Sequence, residues 1–485
     1  MTGASLSSLS ALSADGSLWK GRTVVVVGAA RSGLAAARRL ASLGARVILN
    51  DSRDHPDLAD LAAPAALTVP EGIETVFGGH PEALFDSADA VVVSPGVPLA
   101  LPVFDRVRAR GVPLMGELEL AARLVRAPIL AVTGTNGKST TTSLVGEILK
   151  EAGMNVVVAG NIGNALCGEI ERASEARYAV VEVSSFQLEG TLTFRPAVAC
   201  LLNVTPDHLD RYPDFASYVD AKALIFRNQG PEDTAVLNAD DPVAAGLAPR
   251  VPGRLVWFSR KERKEPGVFV EDGWIVASLG GKISRVVETG AVRIRGAHNL
   301  ENALAASAVS LLAGAEPPAV ARALQRFAGL PHRMETVAVR RGVTYINDSK
   351  GTNVGAVARS LEGFDRPVIL IAGGLDKGGD FASLRPALSP RPGVGGVRLL
   401  VLLGKAASKI EEALGDLVET VTVRSLEEAV QTAAARAHEG ETVLLSPACA
   451  SFDMFRDFEH RGERFAALVR ALSGGAERAP RGGER

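Results

Sequence analysis

Short, unbroken apolar runs recur along this chain, each ending in a glycine- or serine-rich turn that leads into an amphipathic stretch. From Thr23 the order is strand, glycine turn, helix, strand (TVVVVGAARSGLAAARRLASLGARVILND), and a third run, Ala90 to Val93, ends in Ser94-Pro95-Gly96. Runs without polar alternation are covered on both faces, so they predict parallel sheets with helices packed against them. A second series opens with Ile129 to Val132, passes through TGTNGKST and continues as a helix from Ser139 that stops near Gly153. Strands at Val156 to Ala159, Tyr178 to Val183 and Val198 to Asn203 follow. Thr234 to Arg295, with alternation and Gly-rich turns, reads as an antiparallel extension, succeeded by helices over NLENALAASAVSLLAG and PPAVARALQRFAGL. Beyond Pro331 the βα alternation resumes, with strands at Thr344 to Asn347, Pro367 to Ala372, Val397 to Leu403, Glu419 to Val423 and Thr442 to Leu445.

The predicted class is therefore α/β in three domains: an N-terminal Rossmann-like domain over residues 1–115, a central P-loop ATPase-like domain with a mixed sheet over 116–330, and a C-terminal Rossmann-like domain over 331–485. A length of 485 residues agrees, at roughly 150 residues per domain. Lys plus Arg total 53 against 55 Asp plus Glu, a net charge of −2 that removes the footprint of a dedicated nucleic-acid binder. The longest apolar runs are strand-sized, so no membrane span is expected. No Lys or Arg precedes Lys20, so the start reads as a loose tail without the charged region of a secretion signal, and SGGAERAPRGGER at the other end reads as disordered. Cys167, Cys200 and Cys449 lie far apart with no metal-site spacing, and a reducing cytoplasm is the simplest setting.

The strongest chemical signal is Thr133-Gly134-Thr135-Asn136-Gly137-Lys138-Ser139-Thr140, between a strand and a helix. Backbone N–H groups of such a loop, backed by a helix N-terminus, cradle phosphates. The lysine neutralises the β- and γ-phosphates and the next hydroxyl can ligate Mg²⁺. The usual GxxxxGK[ST] has glycine where this chain has Val132. Glu182, closing the strand YAVVE, stands where an acid holds a nucleotide's metal. His208, in NVTPDHLD after another apolar run, can take a metal or meet a phosphate, and by itself is as easily structural. Lys222 lies on a largely apolar helix face, where a free ammonium would repel Mg²⁺ and the plain reading is a snorkelling lysine.

In the first domain Gly28-Ala29-Ala30-Arg31-Ser32-Gly33 is an imperfect GxGxxG, with Asp51 ending the second strand 23 residues later. The substituted middle glycine argues against a full dinucleotide. In the third domain Asn347-Asp348-Ser349-Lys350-Gly351-Thr352-Asn353, Ala372-Gly373-Gly374-Leu375-Asp376-Lys377-Gly378 and SPACASFD each follow an apolar strand. Their lysines and hydroxyls would form a cationic crevice suited to an acidic substrate.

Together these motifs resemble the Mur ligase superfamily, in order and over nearly the whole chain. GTNGKST, the Glu182 strand and the HNLENALAA helix are shared superfamily features, while EVSSFQL, NDSKGTN and SPACASFD are similar to the branch that joins D-glutamate to UDP-N-acetylmuramoyl-L-alanine. The resemblance implies a cytoplasmic, ATP- and Mg²⁺-dependent amide ligase of peptidoglycan synthesis, a monomer with two metal ions, acting through an acyl phosphate. It assigns Lys138, Glu182, His208 and Lys222 to catalysis, with Ser139, Glu182, His208 and a carbamylated Lys222 at the metals, the carbamate replacing a repelled ammonium by an anionic oxygen. ATP falls to Gly134, Thr135, Asn136, Gly137, Lys138, Ser139, Thr140, Asn299, Asn302, Arg333 and Asp348. The uridine-diphosphate substrate falls to Ser32, Asp51, Ser52, Arg53, Ser94, Pro95, Gly96 and Asn161, and D-Glu to Lys350, Thr352, Lys377, Ser451 and Phe458. Sites spread over three domains imply that closure of the third gates the reaction. Gly351 and Leu375-Asp376 occupy loop positions that vary in the family.

Three rivals remain at this stage. A sister amide ligase, for folate or another muropeptide, shares the central domain. A nucleotide-dependent regulator would have no need of a two-metal set. A dinucleotide oxidoreductase would need glycine at position 30 and would leave the phosphate loop unexplained.

Overall fold

The computed structural model describes residues 16–54, 69, 72–390 and 393–472; the segment before residue 16 and the Gly- and Arg-rich end lie outside the described residues. The last residues of the expected loose start are ordered, a 3₁₀ turn at Gly16–Trp19 that buries Trp19.

The first sheet holds β1 (Thr23–Val27), β2 (Arg46–Asp51), β3 (Glu74–Phe77), β4 (Ala90–Val93) and β5 (Leu114–Gly116) in the order β3-β2-β1-β4-β5, all parallel. Helix α1 (Arg31–Ser42) crosses from β1 to β2 and buries its Leu34, Ala36, Ala37 and Leu40 stripe. Strands β3 and β5 have no counterpart in the apolar pattern: one is a half-exposed edge and the other only three residues long. Helix α2 (Glu117–Leu124) then leads away from the sheet.

The second sheet has nine strands: β6 (Ile129–Thr133), β7 (Val156–Gly160), β8 (Tyr178–Glu182), β9 (Val198–Leu201), β10 (Thr234–Asn238), β11 (Arg254–Ser259), β12 (Gly267–Glu271), β13 (Trp274–Leu279) and β14 (Lys282–Glu288). Their order is β14-β13-β12-β11-β10-β9-β6-β8-β7. Here the expected antiparallel extension is corrected: β10, β11 and β12 run parallel to β9 and to one another, and only β12-β13-β14 form an antiparallel meander. The reason lies in the residues, since β10 (TAVLN) is buried throughout, as a parallel strand covered on both faces must be, whereas β14 is largely exposed at the sheet edge. Helices α3 (Lys138–Glu151), α4 (Ser185–Glu189), α5 (Phe215–Ala223), α6 (Ala297–Leu312) and α7 (Pro317–Arg326) are among those that connect or follow its strands.

First and second sheets belong to one compact unit, residues up to Val204, Ala216–Val292 and Glu301–Arg326. Backbone and buried acids fasten them together. The Gly116 N–H donates to the Gly190 carbonyl (2.7 Å), where a Cβ on Gly190 would sit 2.7 Å from the Gly116 Cα. On α2 the Glu119 carboxylate accepts the N–H groups of Leu192, Thr193 and Phe194, and Glu117 accepts that of Cys167.

The second unit comprises Thr205–Phe215, Arg293–Leu300 and the chain from Phe327 on. Its sheet takes β15 (Glu335–Arg340), β16 (Val343–Asn347), β17 (Val368–Gly373), β18 (Val397–Leu403), β19 (Glu419–Thr422) and β20 (Thr442–Leu445) in the order β15-β16-β20-β17-β18-β19. All pairs are parallel except β15 with β16, an edge hairpin absent from the sequence reading. Apolar clusters cover both faces, one including Val357 and Leu361 of α8 (Val354–Leu361), the other Phe465 and Val469 of α9 (Phe458–Ala471). Among the described residues no helix is long and apolar enough to cross a membrane.

Candidate active site

In parallel α/β sheets, ligand-binding loops gather at the carboxyl ends of strands. β6 ends at Thr133, and the turn after it reaches α3 through two glycines with positive φ, Gly134 (153°) and Gly137 (85°). A side chain would be strained and crowded at both positions: a Cβ on Gly137 would lie 2.2 Å from Asn302 Oδ1, and one on Gly134 would lie 3.0 Å from the Leu202 Cβ. Val132 needs no such freedom, being a buried strand residue. The glycine displaced from the usual motif position therefore serves here at 134.

Two lysines converge on this loop. Lys138 Nζ donates to the carbonyls of Gly134 (2.9 Å) and Thr135 (2.8 Å), and Lys222 Nζ donates to the same Gly134 carbonyl (2.8 Å). Lys222 is 1% exposed and lies 4.6 Å from the Tyr218 ring centroid, so the snorkelling reading is corrected: the amine is drawn inward by a carbonyl and an aromatic face. The Tyr218 hydroxyl in turn meets Thr135 Oγ1 (3.2 Å).

Glu182 ends β8, paired with β6 at Val132 and with β7 at Gly160. Its side chain is buried; Oε1 accepts from Asn161 Nδ2 (2.7 Å) and Oε2 has no hydrogen-bond partner. Asn161 is held beside this carboxylate by its own N–H to the Glu182 carbonyl (2.9 Å). A carboxylate oxygen left without a hydrogen-bond partner in the interior is costly. It fits a cation, although among the described residues no group of three or more His, Cys, Asp or Glu is placed to hold a metal ion, here or elsewhere. Ser139 and Thr140, in the first turn of α3, are buried, and Asn302 on α6 accepts from Thr141 Oγ1 (3.3 Å). The Ser184-to-Gln187 capping box starts α4 directly after the Glu182 strand.

On the first sheet the Gly28–Gly33 turn is closed sterically. A Cβ on Gly33 would stand 1.8 Å from the Gly28 carbonyl, to which Ser94 Oγ also donates (2.8 Å). Ala30 is extended, with φ −96°, so no glycine is required at the substituted position. Asp51 accepts the Ala29 N–H (2.8 Å) and is clasped by the Arg53 guanidinium, Nε to Oδ1 and Nη2 to Oδ2 at 2.9 Å each. Burial alone would raise its pKa, but these bonds outweigh it and hold the carboxyl at about 2. Asp51 is thus an anion engaged by its own chain, with Ser32 half-buried and Ser52, Arg53 and Gly96 exposed around the turn, Pro95 half-buried. Arg31 reaches the Gly163 carbonyl of the GNIG turn (3.4 Å).

In the second unit His208 adopts a left-handed φ of 58°, and the neighbouring Asp207 accepts from Lys377 Nζ (3.3 Å) and Asn353 Nδ2 (3.0 Å). Asn299 Nδ2 donates to the Arg295 carbonyl (2.8 Å). Asp348, fully buried, accepts from Ser446 Oγ (2.8 Å) and Ser360 Oγ (2.9 Å); burial raises its pKa to about 6 against these hydroxyls and the nearby Arg333. Gly351 is sterically fixed, since a Cβ would fall 2.6 Å from Ser446 Oγ. Lys350 Nζ lies over the Phe458 ring at 3.5 Å, and the Thr352 N–H returns to the Lys350 carbonyl. Ser451 is buried, its carbonyl accepting the N–H groups of Met454 and Phe455.

Two residues of these loops escaped the sequence reading. Arg461 on α9 is 2% exposed, donates to Ser349 Oγ (3.0 Å) and to the carbonyls of Ser349 (2.9 Å) and Cys449 (3.3 Å), and so joins two of the loops. Burial lowers its pKa to about 10, which leaves it a cation. Asn203, after β9, binds the phosphate loop. Asn203 opens the NVTPDHLD stretch that drew attention only for its histidine, and Arg461, one of three arginines on α9, belongs to no motif.

Comparison with known proteins gives the family. Three family descriptions match in series: the MurD-like N-terminal domain of Mur ligases over residues 22–116, the Mur ligase middle domain over 132–310, and the Mur ligase glutamate ligase domain over 332–449. The chain is 47% identical over 456 residues to the UDP-N-acetylmuramoylalanine--D-glutamate ligase of Geotalea daltonii, covering 94% of this chain and 99% of that protein. The chain belongs to the Mur ligase family, in its UDP-N-acetylmuramoylalanine--D-glutamate ligase branch. Its similarity to the ligase of Pelotomaculum thermopropionicum is 49% over 461 residues, covering 94% and 98% of the two chains. Among solved Mur ligases, the UDP-N-acetylmuramate-alanine ligase MurC of Thermotoga maritima shares the fold, with a TM-score of 0.58, 21% identity and coverage of 93% and 99%. The pseudomurein peptide ligase type C of Methanothermus fervidus does so with a TM-score of 0.57, 21% identity and the same coverage.

Proposed function

We propose that this chain joins D-glutamate to UDP-N-acetylmuramoyl-L-alanine at the expense of ATP, a step of peptidoglycan precursor synthesis. The observation that carries the reading is the 47% identity over 94% of the chain and 99% of a curated D-glutamate ligase, which leaves no domain of either unaccounted for.

Chemistry and residues fit together. A carboxylate is a poor acyl donor, so a carboxylate oxygen of the L-alanyl group attacks the γ-phosphorus and ADP leaves, giving an acyl phosphate. The D-Glu amine then attacks the acyl carbon, loses a proton, and phosphate leaves with the oxygen it acquired. Both steps gather negative charge at the phosphate loop, where Lys138 supplies a cation and the N-terminus of α3 its dipole. Gly134, Thr135, Asn136, Gly137, Ser139, Thr140, Asn302, Asn299, Arg333 and Asp348 are also assigned to ATP. Ser139, Glu182, His208 and Lys222, the last as its carbamate, are assigned to two Mg²⁺ ions, whose charge would lower the cost of phosphoryl and acyl transfer. Support comes from the bare Glu182 Oε2 and from the two ammonium groups crowded on one Gly134 carbonyl, a repulsion that carbamylation of Lys222 removes. Ser32, Asp51, Ser52, Arg53, the Ser94–Gly96 turn and Asn161 are assigned to the UDP-sugar, and Lys350, Thr352, Lys377, Ser451 and Phe458 to D-Glu. The enzyme is taken as a cytoplasmic monomer.

Oxygen-18 in the L-alanyl carboxylate tests the route. One labelled atom should appear in each phosphate released; phosphate free of label would exclude the acyl phosphate.

A further inference from the structure

The phosphate loop has a second anchor besides its own sequence. β9 ends at Leu201, yet its pairing towards β6 continues: the Leu202 N–H donates to the Thr133 carbonyl (3.0 Å) and the Asn203 carbonyl accepts the Thr135 N–H (2.9 Å). Beyond that point the side chain of Asn203 takes over. Its Oδ1 accepts the Asn136 N–H (2.9 Å) and its Nδ2 donates to the Asn136 carbonyl (3.0 Å), a reciprocal amide pair that imitates one more rung of the ladder. Asn203 is 4% exposed, and Asn238, ending β10, braces the preceding peptide from the other side by donating to the Leu202 carbonyl (2.9 Å). Gly134 lies flat against the same residue, where a Cβ would come 3.3 Å from the Asn203 carbonyl.

We propose that Asn203 is the positioning residue of the ATP site, holding the Thr135–Asn136 peptides in the one orientation that turns the loop into α3. This rests on the ATP reading of the loop. Three bonds from one residue engage both amides of the loop's first half, so those amides shape the loop and the anion is left to Gly137 and the first turn of α3. Asparagine is the side chain that can donate and accept at this short reach; aspartate has the same shape and cannot donate.

The test compares Asn203→Ala and Asn203→Asp with the parent enzyme by KM for ATP, D-Glu and UDP-N-acetylmuramoyl-L-alanine, by ADP affinity in direct titration, and by melting temperature. A misplaced loop predicts a roughly tenfold to hundredfold rise in ATP KM and weaker ADP binding in both variants, with the other two KM values within about twofold. A purely structural role would lower the melting temperature and the active fraction and leave all three KM values alone, and that result overturns the proposal. Should the alanine variant fail to fold, near-isosteric aspartate decides: parent-like ATP KM and ADP affinity mean that the donated bond is idle, and the proposal falls. ATP turnover by the parent checks the underlying reading separately, since an inactive parent would strike the function and not Asn203.

Discussion

At the scale of single residues, Glu182 is the most exposed to test. One carboxylate oxygen is bonded to Asn161 and the other is buried without a hydrogen-bond partner, an arrangement that costs roughly 1 to 3 kcal/mol unless a cation or a donor meets it. Replacement by glutamine keeps the shape and the Asn161 acceptor while removing the charge. Glu182→Gln should therefore melt at the parent's temperature or a few degrees higher, while ligase activity falls about a thousandfold. A variant that loses stability but keeps activity within tenfold would show a structural acid instead. Such chemistry was legible because acids are rarely placed at the end of a buried strand without a partner. Asn203 and Arg461 were not, because each acts through backbone carbonyls and amides whose neighbours are set by tertiary packing.

At the scale of elements, glycines decide where loops can turn. The β1–α1 turn brings Gly33 against the Gly28 carbonyl, closer than any Cβ permits, and Ser94 closes the same turn from β4. Gly33→Ala should cost about 3 kcal/mol or more, since the obstacle is backbone and cannot swing aside. Thermal melts of the purified variant check this, and a loss under about 1 kcal/mol would mean that the turn relaxes. The strand cores of the Rossmann-like parts were readable from uninterrupted apolar runs, and the phosphate loop from its spacing. What the pattern concealed were short or edge strands, β3, β5 and β15, whose half-exposed residues carry no continuous apolar signal. The direction of β10 to β12 was also misjudged, because glycine-rich turns between short strands look alike whether the next strand reverses or crosses over.

At the scale of the whole molecule, three sheets each end in loops that carry chemistry of one kind. The first offers a turn closed by Ser94 with an ionised Asp51, the second a phosphate loop with two lysines and a bare carboxylate, and the third lysines 350 and 377 with buried Asp348. The first two are locked by the Gly116–Gly190 backbone contact and the buried acids of α2, which fixes the Gly28–Gly33 turn relative to the phosphate loop. A nucleotide-dependent regulator has no use for a third loop set matched by a glutamate ligase domain. The account's central claim is the identity of the amino acid. It is tested most directly by phosphate release from ATP with Mg²⁺ and UDP-N-acetylmuramoyl-L-alanine, adding D-Glu, L-Glu, L-Ala or diaminopimelate singly. Release that requires D-Glu, with the L-enantiomer near background, is the predicted result; release supported equally by another amino acid, or by none, would contradict it.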